Sequence, residues 1–162
     1  MTERSALIQE AYKILSRLTP LKSDCGRLCN AACCKGDSTT GMLLFPDEEE
    51  LYGENEFNII DAIGKKLLVC NGTCNRDKRP LACRIFPLAI VKLNGRVQVI
   101  ADLRSIPVCP LYRQALVGRL DPGFQKAVKT VAQLFDKSGC FDDYLEALGE
   151  ECSDIQRLYV AK

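Results

Sequence analysis

Ten of the 162 residues are cysteine and none is histidine. Four of the ten crowd into Ser23–Gly36, at Cys25, Cys29, Cys33 and Cys34. Thiols at this density either cross-link a chain or hold something between them, and the redox compartment decides which. The first ten residues carry acids and no apolar signal core, and no run reaches the ~18 apolar residues of a membrane span. The expectation is a cytoplasmic chain, reduced, with its cysteines as thiols or thiolates. That moves the balance from disulfide toward metal. Without histidine there is no histidine general base, no Ser–His or Cys–His nucleophile pair and no mixed Cys/His zinc finger. A metal would take sulfur, with carboxylate or water as the other donors. Sulfur-rich sites select zinc, iron–sulfur clusters or cuprous copper, and two methionines with no Met-rich tract put copper last.

The remaining composition excludes little. Lys+Arg total 22 and Asp+Glu 21, a net charge of +1, so nothing global points to a nucleic acid or an anionic membrane as partner. The length fits one domain able to bury a core without staples. We expect residues 1–162 to be that domain, with a cysteine-rich metal-binding core over 19–112 and a helical extension over 113–162.

Residues 5–18 read as an amphipathic helix, with Leu7, Ala11, Ile14, Leu15 and Leu18 on one stripe and Thr19-Pro20 as its end. In the next segment Ser23 or Asp24 can cap a helix and Gly36 can close it. Within such a helix Cys25, Cys29 and Cys33 recur every four residues. They share a face with β-carbons about 5–6 Å apart, close to the separation of two sulfurs on one tetrahedral zinc. Met42 to Phe45 suits a short strand. Pro46-Asp47-Glu48-Glu49-Glu50 then reads as a solvated helix start, its acids placed where the helix dipole favours them.

Leu67-Leu68-Val69-Cys70 reads as a buried strand delivering a cysteine at its end. Cys70-Asn-Gly-Thr-Cys74 is a CxxxC across an Asn-Gly turn. Arg76, Lys78, Arg79 and Arg84 surround Cys74 and Cys83 in sequence. Cations placed there would offset the charge of four thiolates on a divalent ion and lower thiol pKa values. Leu88 to Asp102 is the clearest β element. Asn94-Gly95 predicts a type I′ turn, with Lys92 opposite Val97, Ile90 opposite Val99 and Leu88 opposite Ala101. Leu88, Ile90, Val97 and Val99 would be the buried face, and Val91, Gln98 and Arg96 the polar one. Cys109 sits between Pro107 and the next proline, Pro110, in a rigid loop suited to a fixed ligand. Asp121-Pro122 then starts a helix with a wide apolar stripe at Phe124, Ala127, Val128, Val131, Leu134 and Phe135. Ser138-Gly139 breaks it. A second stripe, Phe141, Tyr144, Leu145 and Leu148, stops at Gly149. Cys140 and Cys152 have no cysteine partner nearby in sequence and read as small buried apolar residues.

Taken together, these motifs resemble the YkgJ-type zinc- or iron-chelating domain family. The resemblance rests on the clustered Cys25, Cys29, Cys33-Cys34 group and an acidic segment after it. Cys70 and Cys74 then lead into Arg79-Pro80-Leu81-Ala82-Cys83-Arg84-Ile85-Phe86-Pro87, with Cys109 fitting an eighth position. It covers roughly residues 25–110, and the first group is looser than the family's tight Cys-x-x-Cys-x-x-Cys-Cys. The likeness implies that Cys25, Cys29, Cys33, Cys34, Cys70, Cys74, Cys83 and Cys109 are the metal ligands. It extends to a longer flagellin lysine N-methylase that uses an iron–sulfur cluster, which would make this chain an iron–sulfur-dependent methylase. No Gly-rich loop supplies a cofactor pocket for that chemistry. The radical S-adenosylmethionine spacing Cys-x-x-x-Cys-x-x-Cys is not met, because three residues separate Cys29 from Cys33.

The fold expected is α+β: a small antiparallel sheet including the 88–101 hairpin, flanked by N-terminal and C-terminal helices, with the cysteine groups meeting at one edge. The function expected is thiolate binding of zinc or iron, or of an iron–sulfur cluster, by a non-enzymatic carrier or a redox or sensing protein. The alternative is a structural zinc module whose helical tail binds another protein.

Overall fold

The Asn94-Gly95 pair makes the turn that its residue types favour, and the core is laid around the hairpin it closes. The structure, a computed structural model, describes residues 1–53, 56–72 and 75–160. In chain order the helices and strands begin with α1 (Glu3–Leu15), α2 (Gly26–Cys29), β1 (Gly41–Leu43), β2 (Ile59–Ala62) and β3 (Lys65–Val69). There follow α3 (Leu81–Ile85), β4 (Leu88–Leu93), β5 (Arg96–Ala101), α4 (Tyr112–Leu116), α5 (Pro122–Ser138) and α6 (Asp142–Val160). The class is α+β, with two small antiparallel sheets among the described residues: β1-β3-β2, and β4-β5.

In the β4–β5 hairpin, Lys92 pairs with Val97, Ile90 with Val99 and Leu88 with Ala101. Asn94 (φ 52°) and Gly95 (φ 72°) are both left-handed, as a type I′ turn needs. One face carries Leu88 and Ile90 into the main core, against Phe124, Val128, Val131 and Phe135 of α5. Ile8, Ala11 and Leu15 of α1 join the same core, as does Leu145 of α6. The other face is only partly polar. Arg96 and Gln98 are exposed, but Ala89 and Val91 are buried beneath Leu148 and Cys152 of α6. A helix across the second face replaces the solvated side that alternation along β5 implies.

That crossing also explains Gly149. The expected stop at this residue is absent, and α6 runs unbroken for 19 residues. A Cβ at Gly149 would stand 2.5 Å from the Lys92 carbonyl oxygen and 2.9 Å from Leu93 Cδ2. The glycine is therefore a contact surface for β4, which offsets its cost of about 1 kcal/mol in a helix interior. Gly41 has the same role between β1 and β3, where a Cβ would meet the Leu68 carbonyl oxygen at 2.0 Å.

Local signals set the helix ends. Asp121 accepts from the Phe124 N–H (2.9 Å) with Pro122 at the first helical position, and Gly139 (φ 67°) closes α5. Thr2 caps α1 by accepting from the Ser5 N–H (3.1 Å). The α1 stripe buries Ile8, Ala11 and Leu15, while Leu18 lies past the helix end and is exposed. Among the described residues no helix is long and apolar enough to cross a membrane.

Replacing Gly149 with Ala improves helix propensity yet forces a methyl group into strand backbone. The variant is expected to lose about 1–3 kcal/mol of stability in urea unfolding, as overpacking does; a gain in stability would show that α6 and β4 do not make this contact.

Candidate metal centre

The first cysteine group is not one helix. α2 ends at Cys29, and Asn30 (φ 52°) and Ala31 (φ 53°) are both left-handed. Two such residues in succession redirect the chain before a 3-10 turn at Ala32–Cys34. Cys33 therefore does not follow Cys25 and Cys29 along a helix face, and reaches the same region through the turn instead. Gly36 is not a left-handed cap either; its missing Cβ leaves room for the Thr40 side chain, which would stand 2.4 Å from it. Asp24 ties the group to the rest of the molecule. Its Oδ1 accepts from the Gly26 N–H (3.1 Å) and from the Arg76 guanidinium (2.7 Å).

Cys83 is carried by α3, and the start of α3 is fixed by a buried acid. Glu48 is 0% exposed. Its Oε1 accepts from the Leu81 N–H (2.5 Å) and the Tyr12 hydroxyl (2.6 Å), and its Oε2 from the Phe45 N–H (2.8 Å). Tyr12 also stands 3.0 Å from the Tyr52 hydroxyl, and the Arg84 guanidinium lies 4.2 Å from the centre of the Tyr12 ring. Arg84 is further held by the carbonyls of Arg79 (2.7 Å) and Asp77 (2.6 Å). The solvated helix start expected at 46–50 thus holds for Asp47 and Glu50 alone, since Glu49 is half-buried with its Oε2 shut off from water. Asp47 pairs with Arg4 (3.9 Å) and Glu50 accepts from the Thr2 N–H (3.3 Å) on the surface, while Glu48 turns into the core. No sequence pattern separates Glu48 from the acids beside it. The signal available was the orphan N–H at the start of a helix that follows Pro80, which needs an acceptor from elsewhere.

Cys70 follows β3. Cys109 sits in its proline-flanked loop, and its N–H donates to the Ser105 carbonyl (2.8 Å). Six of the eight cysteines expected as ligands are joined pair by pair through their electrostatic influence on one another. The Cys33 thiol feels Cys34, Cys83 and Cys29; Cys25 feels Cys29; and Cys109 feels both Cys25 and Cys29. Cys70 lines the same cleft as Cys25, Cys33, Cys34 and Cys83. Cys74 lies outside the described residues. Cys152 is buried on α6, and burial pushes its thiol up to about 11. Cys140 is half-buried at the α5–α6 junction, packed on the main core.

The electrostatics of the cluster favour neutral thiols. The hydrogen bond with Cys34 chiefly raises Cys33, an exposed residue. Burial raises Cys25 and Cys109; at Cys25 the charge of Asp24 adds to it while Arg76 and Arg79 pull the other way. A metal entering here must displace protons, and those two arginines lower the cost of doing so. The donor set, all sulfur, fits a soft ion. Among the described residues, however, no three Cys, Asp or Glu side chains stand close enough together to hold an ion as they are placed. Comparison with protein-family models, curated proteins and solved structures gives no match to this chain.

Glu48 gives the sharpest test of how α3 is held. Glutamine keeps its volume but puts an amide NH2 against a backbone N–H donor, whichever way it is turned. Glu48→Gln is expected to cost about 1–3 kcal/mol in urea unfolding. Burial, outweighing the hydrogen bonds from Tyr12, Leu81 and Phe45, holds the Glu48 pKa above its ordinary 4.5. Its contribution is then complete below that value and lost as pH rises through the folded pKa. The stability gap between wild type and E48Q should narrow as pH rises above 4.5. A gap that widens with pH would mean that the carboxylate is favoured in the fold.

Proposed function

We propose that this chain is a cysteine-thiolate metal-binding protein that holds zinc or iron, the iron singly or as an iron–sulfur cluster, in a reducing compartment such as the cytoplasm. Its task is that of a carrier or of a redox or sensing protein, without catalysis of its own. The observation that carries this reading is the approach of Cys29, Cys33, Cys34 and Cys83, with Cys25 and Cys109 beside them, from three separate chain segments. Buried thiols serve packing when they are scattered, as Cys152 does; half-buried and exposed thiols gathered at one cleft, Cys25, Cys33, Cys34, Cys70 and Cys83, have a use together. The likeness to YkgJ-type chelating domains supports the same reading and adds Cys70 and Cys74 to the ligand set.

One observation favours a second reading, a structural zinc module that binds another protein through its helices. Leu116 and Val117 at the end of α4 are each 63% exposed, and Leu158 near the end of α6 is 72% exposed. Large apolar side chains at helix ends suit a protein partner.

Purification without oxygen, followed by assay of zinc, iron and acid-labile sulfide, tests the proposal. Metal bound in a fixed ratio to protein is expected. Cys33→Ser and Cys83→Ser should lose most of it, while Cys140→Ser keeps it. Iron and sulfide in equal amounts identify a cluster; zinc with unfolding on chelation identifies the structural module. Protein that is metal-free and folded, or metal retained by both Cys33→Ser and Cys83→Ser, would contradict the proposal.

A further inference from the structure

Two tight hairpins in this molecule share one turn geometry and differ in what occupies it. At the β4–β5 turn, Asn94 and Gly95 have φ values of 52° and 72°. At the β2–β3 turn, closed by Ala62 and Lys65, Ile63 and Gly64 have φ values of 51° and 74°. Asparagine is among the few residues that accept this left-handed backbone, and a β-branched side chain is strained in it. Ile63 is also fully exposed, at 104%. Neither the turn nor the core has a use for isoleucine here.

The strand that leads into this turn is an open edge. Among the described residues, β2 pairs with β3 on one side and with no strand on the other. Residue pairs along an antiparallel ladder alternate between bonded and unbonded. The Val69 N–H donates to the Asn58 carbonyl (2.8 Å) and Ala62 closes the turn, so Asn58, Ile60 and Ala62 turn their backbone groups toward β3. Those of Ile59 and Asp61 point outward, and no described residue bonds to them. Edges that stay alone are guarded by proline, a bulge or free charge. β2 runs in continuous register with a single charge, Asp61, and Lys66 already pairs with it (2.8 Å).

We propose that β2 pairs with β2 of a second copy of this chain, antiparallel about a two-fold axis, joining two β1-β3-β2 sheets edge to edge. Outward-facing groups must meet outward-facing groups, which leaves few registers. Asp61 opposite itself sets like charges together and is disfavoured. Ile59 opposite itself carries Ile63 two residues beyond Phe57 of the copy. The remaining register sets Asp61 opposite Ile59, with Ile60 on the axis, and keeps the two Asp61 apart. It also brings Ile63 to Phe57 of the second copy, a half-buried ring packed edge-on against Tyr52 (5.1 Å between ring centres). The exposed isoleucine gains an apolar neighbour, which accounts for its place in a strained turn. That turn lies at the far end of β3 from Cys70, so the pairing stands or falls apart from the function proposed above.

Sedimentation equilibrium of the protein as purified, with reductant present to exclude disulfides between chains, tests it. A reversible monomer–dimer equilibrium is expected, with hydrogen exchange at the Ile59 and Asp61 amides slowing as the dimer forms. Asp61→Pro removes an outward N–H that β3 does not use, so the chain should stay folded by circular dichroism while the dimer weakens at least about tenfold. Ile63→Asn suits the turn and decides the matter by itself. It should weaken the dimer several-fold and raise the midpoint of thermal unfolding of the monomer by a few degrees. A chain still monomeric at millimolar concentration, which would leave the edge to a foreign strand, would overturn the proposal. So would a dimer as tight in Ile63→Asn as in the wild type, or association that does not stop at two chains.

Discussion

A glutamate side chain with no exposure to water, Glu48, ties the thiol-bearing part of this molecule to its core. Glu48 accepts from the first N–H of α3 and from the Phe45 N–H just after β1, and Tyr12 of α1 donates to the same group. Three elements distant in sequence meet at one acceptor, and each brings a donor that would be costly to bury alone. α3 has only five residues and would be marginal unsupported. Held at its start by Glu48 and below by Leu81 and Ile85, both buried, it sets Cys83 toward the group at 25–34.

The rest of the fold supplies a frame for that arrangement. The β4–β5 hairpin is enclosed by α5 on one face and α6 on the other, and the aromatic group of Phe45, Phe135, Phe141 and Tyr144 joins the acid-bearing segment to the helices. The thiols lie at the margin of this frame, where the chain runs in short turns rather than long elements. Two ion pairs, Asp24 with Arg76 and Glu56 with Lys78, join those turns. Exposed pairs of this kind contribute little each, so the cysteine segments are the part of the molecule that a bound metal would stiffen most.

What could be read from the sequence was what local chemistry decides. The Asn94-Gly95 turn determines its hairpin's register, and Asp121-Pro122 with the stripe from Phe124 to Phe135 defines α5, because each signal acts within a few residues. What could not be read depends on partners far along the chain. Gly149 looks like a helix stop until β4 is set against it. Val91 looks like a solvated position until α6 covers it. The four-residue spacing of Cys25, Cys29 and Cys33 fits a helix, and nothing local announces that Asn30 and Ala31 turn left-handed. Glu48 is one acid in a run of four, singled out only by donors supplied from Tyr12, Phe45 and Leu81. Cysteine spacing drew attention to the site residues, but their approach in space belongs to the tertiary fold.

X-ray absorption at the edge of whichever metal accompanies the protein purified without oxygen tests the central claim most directly. A thiolate centre predicts a first shell dominated by sulfur at about 2.3 Å. A shell of oxygen or nitrogen, or sulfur scattering that persists unchanged when Cys33 and Cys83 are both replaced by serine, would contradict it.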